Sequence, residues 1–121
     1  MDVRPDPTVS LGWSDFDRPI HRVFADNADR HGDRICVIET DPRREFTYRN
    51  VNEASNILAQ HLHLKGIQRD EVVMIYAYRG VDLVVAIMGV LKAGATFSVI
   101  DPAYPKDRQI IYLEVGAPVV L

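Results

Sequence analysis

The sequence is poor in the residues that most catalytic and metal chemistry uses. It holds one cysteine, Cys36, and four histidines among 121 residues. A single thiol excludes a disulfide framework within the chain. Cys36 lies in the apolar run ICVIET (35–40) with no metal-ligand spacing around it, so it reads as a buried core thiol in a reducing compartment. The histidines are His21, His31, His61 and His63. His61 and His63 are two apart on an expected helix and point to different faces, whereas a metal pair needs a spacing of three or four. Ser10, Ser14, Ser55 and Ser98 sit in no nucleophile-elbow motif. Neither GxGxxG nor GxxxxGK[ST] occurs.

Positive charge is also scarce. Lys and Arg total 14 against 17 Asp and Glu, a formal net charge of -3. The cations are scattered singly or in pairs such as Arg43-Arg44, which argues against a nucleic-acid or anionic-membrane partner. The first residues, MDVRPDPTVS, carry no apolar signal core, so no secretion is implied and a cytoplasmic location is expected. The longest apolar stretch, LVVAIMGVLKAGATFSVI (83–100), places Lys92 at its middle. At the centre of a membrane helix that lysine would cost about 2.5–3.5 kcal/mol. Gly94 divides the stretch into a helix-like and a strand-like half, which reads as soluble core.

What remains is an ordinary globular composition, 47% hydrophobic and 26% charged. Residues 1–18 form an extended arm with Pro5 and Pro7, expected to be pinned to the body by Trp13 and Phe16. A rhythm then sets in. A helix is expected over Pro19 to His31, with Ile20, Val23, Phe24 and Asn27 at helical spacing. ICVIET reads as a strand, Asp41-Pro42 as a turn, and EFT (45–47) as a strand pairing back. Further helices are expected over Tyr48 to Lys65, Gly80 to Ala93, and Pro105 to Val115. The stripe of the first of these is Val51, Ala54, Leu58 and Leu62. VVMIYAY (72–78) and TFSVID (96–101) read as strands covered on both faces, and PVVL at the end as another strand.

Gly32, Gly66, Gly94 and Gly116 follow the four helices, and each is expected to close its helix in the left-handed conformation. Alternating strands and helices on short links imply right-handed crossovers and a mostly parallel sheet. The fold class is therefore α/β. The last strand, with nothing after it, is expected to be an incomplete piece of a larger domain.

Loops that follow parallel strands lie where ligands bind in such sheets. One reads Arg79-Gly80-Val81-Asp82, where Arg79 stands near a helix start that an anion would favour; the bland alternative is a solvated loop charge. The other reads Pro102-Ala103-Tyr104-Pro105, preceded by Asp101, whose side chain is expected to cap its own turn. LKAGATFSVIDPAYP (91–105) thus reads as scaffold: a closed helix, a buried strand, and two prolines that stop it and preset the next helix. No residue is assigned a catalytic, cofactor-binding or metal-ligating role.

This layout resembles the start of the adenylate-forming enzymes, specifically amino-acid adenylation domains. FTYRNVN (46–52) is similar to their first core motif, Leu-Thr-Tyr-x-Glu-Leu-Asn. LKAGATFSVIDPAYP is similar to their second. The resemblance covers residues 19–121, which it identifies as the truncated start of the AMP-binding domain, part of its large N-terminal subdomain. Asn50 replaces the usual Glu of a Thr-x-x-Glu capping box and is expected to be too short to close it as well. Thr96, Ser98 and Val99 also depart from the common residues.

The run from Val72 to Val115 looks closest to the fungal branch of this family that activates L-2-aminoadipate and reduces it in lysine biosynthesis. The resemblance implies ATP and Mg²⁺ for acyl-adenylate formation, a phosphopantetheine thiol that takes the acyl group, and NADPH for reductive release as the semialdehyde. It also implies that the phosphate loop, the amino-acid pocket and the catalytic lysine lie beyond Leu121. This segment alone is then expected to bind no cofactor, to be inactive, and to pack against the rest of the adenylation domain. The alternatives are the adenylation domain of a nonribosomal peptide synthetase, a stand-alone α/β interaction module, and a non-functional gene fragment.

Overall fold

A computed structural model describes residues 6–10, 18–116 and 119–120. Trp13 and Phe16 lie outside the described residues. Among the described residues the chain runs α1 (Ile20–His31), β1 (Ile35–Glu39), β2 (Arg44–Thr47), α2 (Tyr48–Leu64), β3 (Val72–Tyr76), α3 (Val81–Lys92), β4 (Thr96–Ile100), α4 (Lys106–Gly116) and β5 (Val119–Val120). The α/β class holds, with the strands divided between two sheets.

The parallel sheet has the order β4-β3-β5, with Val73 opposite Phe97 and Val119. β1 and β2 stand apart as an antiparallel hairpin, turned at a cis Asp41–Pro42 bond. The register shifts between Ile35 and Val37, which places Cys36 at a bulge. That bulge corrects the expectation of a buried thiol. Cys36 is only half-buried, and the apolar atoms around it raise its pKa by desolvation.

Two apolar clusters hold the layers. Val73 and Ile75 of β3 pack on Leu62 of α2 and on Ala86 and Val90 of α3. Phe24 of α1 packs on Val51 and Val81. Three consecutive β3 residues, Val73, Met74 and Ile75, are buried, as a strand covered on both faces requires. β4 departs from that expectation. It is an edge strand among the described residues, and its Phe97 and Val99 each remain 37% exposed. Ile20 likewise leaves the expected inner stripe of α1 and is exposed; Ala28 is buried instead.

Helix ends show how local chemistry sets the boundaries. Gly66 and Gly94 have φ of 85° and 80°, the left-handed closure expected of them. Gly32 does not: its φ is -54°, and its lack of a side chain serves a close approach instead. A Cβ there would lie 2.8 Å from both the Ala28 carbonyl oxygen and Arg49 Nη2. Gly116 falls inside the range of α4 rather than after it.

The capping box at α2 is closed with Asn50 in place of the usual Glu. Asn50 N–H donates to Thr47 Oγ1 at 3.1 Å, and Thr47 N–H donates to Asn50 Oδ1 at 2.9 Å. Thr47 is extended, with φ -78° and ψ 164°, and its N–H comes within reach of the shorter amide.

Candidate functional site

The carboxyl ends of β3 and β4 are where ligands bind in open parallel sheets. At the β3 end, the turn 77–80 faces the end of the β1–β2 hairpin. A crevice of about 420 Å³ opens between them, lined by Glu39, Asp41, Arg44, Arg79 and Gly80 among others. The expected anion position is the start of α3, beside Arg79.

That position is already filled from within the chain. Glu39, the last residue of β1, accepts the Val81 N–H on Oε2 at 2.9 Å, across 42 residues of sequence. Its other oxygen pairs with Arg44 on β2. The Val81 N–H, and after it the Arg44 guanidinium, hold the Glu39 carboxyl below the usual carboxylate range. Gly80 allows this approach: a Cβ at that position would sit 2.7 Å from Glu39 Oε2. A helix start that would attract a phosphate is thus capped by a carboxylate. The residues present do not fit a nucleotide phosphate here. Arg79 is an exposed loop cation without a hydrogen bond or ion pair among the described residues, which favours the bland reading.

At the β4 end, Asp101 Oδ1 accepts the Ala103 N–H at 2.9 Å, and Asp101 O accepts the Tyr104 N–H at 3.0 Å. The side chain therefore caps its own turn, as the Asp-Pro sequence implies. Gln109 of α4 reaches back and donates to the carbonyls of Pro102 at 3.1 Å and Tyr104 at 2.8 Å. The Arg108 guanidinium lies 4.3 Å from the centre of the Tyr104 ring. These contacts fix the turn to the following helix and make it scaffold.

A second polar cluster was not anticipated from sequence. Lys92, at the last turn of α3, crosses to α2. Its Nζ donates to Asn52 Oδ1, Ser55 Oγ and Asn56 Oδ1, each at 2.7 Å. The Phe24 ring centre lies 5.7 Å from the same nitrogen, so α1 joins the cluster. Partial burial lowers the Lys92 pKa. Ser55 is fully buried and is satisfied by Lys92 and by its own bond to Asn52 O at 3.0 Å. The signal was present: one cation in an apolar helix, and polar residues at 52, 55 and 56, the spacing of one helix face. Among the described residues no group of three or more His, Cys, Asp or Glu is placed to hold a metal ion. No described helix is long and apolar enough to cross a membrane.

Comparison with known proteins places this scaffold. The family model described as AMP-binding enzyme matches residues 24–121. The L-2-aminoadipate reductase large subunit of Penicillium chrysogenum is 66% identical over 118 residues, covering 94% of this chain and 8% of that protein. The L-2-aminoadipate reductase of Schizosaccharomyces pombe is 60% identical over 124 residues, covering 98% and 9%. Bacitracin synthase 3 of Bacillus licheniformis is 41% identical over 115 residues, covering 90% and 2%. The chain thus spans less than a tenth of the length of these relatives. Among solved structures, the N-terminal subdomain of Klebsiella oxytoca NpsA matches with a TM-score of 0.76 at 23% identity, covering 84% of this chain and 26% of that one. At that identity the likeness speaks for the fold.

Proposed function

The chain belongs to the AMP-binding enzyme family, and from that membership we propose that it forms the opening layer of the adenylation domain of an L-2-aminoadipate reductase. The observation that carries the reading is the identity gap. The chain is 66% identical to the Penicillium reductase and 41% identical to bacitracin synthase 3, over nearly the same length. The nonribosomal peptide synthetase reading is the weaker one on that ground.

In this reading the complete polypeptide activates the side-chain carboxyl of L-2-aminoadipate with ATP and Mg²⁺. It passes the acyl group to a phosphopantetheine thiol and releases it with NADPH, in the cytoplasm. Adenylation gives the carboxyl a good leaving group, and the tethered thiol gains effective concentration at the next centre. No step is assigned to a residue of this chain. The start of α3 is filled by Glu39, and the Asp101 turn is tied to α4, so both loops at the sheet's carboxyl edge serve as framework. In this reading residues 19–121 form a layer completed by the rest of the domain. The exposed apolar residues Phe97, Val99, Ile110, Ile111 and Leu113 on β4 and α4 support that packing.

The test has two parts. Reading the transcript past the codon for Leu121 should reveal an open frame containing a phosphate loop, a carrier motif and a reductase. The complete polypeptide should then catalyse ATP–pyrophosphate exchange dependent on L-2-aminoadipate, and the 121-residue chain alone should not. Exchange with a different amino acid, in a frame that continues into condensation domains, would establish the peptide-synthetase reading instead. Exchange by the 121-residue chain would overturn the scaffold assignment.

A further inference from the structure

A second concavity lies on the helical layer, at the end of α3 opposite to Glu39. The helix separates the two by about 17 Å. The cavity measures about 350 Å³ and is lined by Pro19, His21, Arg22, Ala25, Asn56 and Lys92. Its chemistry is one-sided. Arg22 and Lys92 are cations from two different helices, His21 is a third basic group, and no carboxylate of a described residue lines the space. Asp26, one turn on from Arg22, is already paired with Arg18.

Nothing among the lining groups offsets this charge. Lys92 is hydrogen-bonded by Asn52, Ser55 and Asn56, but all three are neutral oxygens. Its donors are satisfied while its charge has no counter-ion among the described residues, and partial burial makes that charge costly. Asn56 spends its carbonyl oxygen on Lys92, which leaves an amide NH2 donor as its remaining polar group. The first turn of α1, which opens beside the cavity, carries no acidic residue. The His21 imidazole feels the result: burial, then the Lys92 and Arg22 charges, lower its pKa. Donors therefore converge on a space that holds no acceptor of full charge among the described residues.

We propose that this cavity binds a phosphate or diphosphate group, gripped by the Arg22 guanidinium and the His21 imidazole, with Lys92 supplying charge from behind. A guanidinium fork matches the oxygens of a phosphate, and a partly enclosed wall strengthens the attraction over that in open water. Lys92 acts through its field, since its hydrogens are committed to α2. The site stands independently of the adenylation reading, because none of its residues is drawn from the crevice beside Glu39.

The test is hydrogen exchange, read peptide by peptide in the complete polypeptide so that anion binding elsewhere does not interfere. Inorganic phosphate, pyrophosphate and AMP are added separately at millimolar concentration. Sodium chloride at matched ionic strength is the control. Exchange in the first turns of α1 and in the Asn52–Asn56 segment should slow severalfold with at least one phosphate compound. The double variant His21→Gln/Arg22→Gln should lose that protection and leave the exchange pattern without anion unchanged. Protection by the inorganic anions identifies a free phosphate site, and protection by AMP alone identifies a nucleotide phosphate. Equal protection by chloride, protection retained in the double variant, or no protection by any of the three overturns the proposal.

Discussion

Replacing Gly89 by alanine should destabilise the chain, although the same change in an ordinary helix interior is favourable. Gly89 is buried on α3 where that helix crosses α2. A Cβ added there would lie 2.7 Å from Leu58 Cδ2, 2.9 Å from Cγ and 3.0 Å from Cβ. Ordinary carbon contacts lie at about 3.5–4.0 Å, so the overlap approaches an ångström. Rotating Leu58 can move Cδ2 but not its Cβ, which is fixed to the α2 backbone. The helices must therefore separate. Overpacking of this kind costs about 1–3 kcal/mol, against a helix-propensity gain of about 1 kcal/mol for alanine over glycine. The net is a loss of up to about 2 kcal/mol, or up to about thirtyfold in a local opening equilibrium. Amide hydrogen exchange over α2 and α3 reads it directly: both helices should exchange faster in Gly89→Ala. Adding Leu58→Ala should recover part of the loss, because two of the three contacts disappear. Slower exchange in the single variant would refute the reasoning, since it would mean that α2 and α3 do not approach this closely.

Three further outcomes follow from the polar contacts. Glu39→Ala should speed exchange of the first-turn amides of α3, and Glu39→Gln, which keeps an acceptor for Val81, should do so less. Because the fold lowers the Glu39 pKa from 4.5, the stability it contributes is present above that value and is lost as pH falls through the lower folded value; Glu39→Gln should flatten this acid limb of the stability profile. The His21 pKa is also held below its ordinary value of 6.5, but His21 is a base, so the folded state binds fewer protons than the unfolded one. Stability should rise as pH increases towards 6.5 in phosphate-free buffer, and the slope should vanish in His21→Asn. Lys92→Met should cost about 1–3 kcal/mol, the net of lost hydrogen bonds and relieved burial of charge, and should show coupling to Asn56→Ala in a double-mutant cycle. Strict additivity of the two would remove the α2–α3 bridge from the account.

Much of the framework was legible because its signals are local. Pro19, Gly66 and Gly94, the apolar run at 72–76 and the Asp101-Pro102 turn each act through neighbours within four residues. What escaped acts across space. Glu39 looks like the polar end of a strand, and only the fold brings it to the N–H of Val81, 42 residues away. Lys92 looks like the lone cation of an apolar helix, and its three partners belong to α2. Asn50 is a case where side-chain length alone does not tell whether a box closes. The shorter amide closes the box because backbone geometry at Thr47 supplies the reach. Gly32 is a parallel case for backbone: its position after a helix suggested a turn conformation, whereas packing against Arg49 sets the requirement.

The two polar contacts found in the fold show how a chain with so few chemical residues holds its apolar helix α3 in place. α3 is held at both ends by groups from other elements, at Val81 by the Glu39 carboxylate of the hairpin and at Lys92 by the amides and hydroxyl of α2. Its middle is packed on β3 and α2 through Ala86, Gly89 and Val90. A helix fixed at three points along about 17 Å has little freedom to slide or rotate. The loops on either side of it, 77–80 and 93–95, inherit that rigidity, and through them so do the carboxyl end of β3 and the amino end of β4. Side chains mounted on rigid elements are held more accurately than side chains on free loops. The contribution of this layer is then geometric: it fixes the carboxyl end of β3 and the amino end of β4 relative to the helices packed on them.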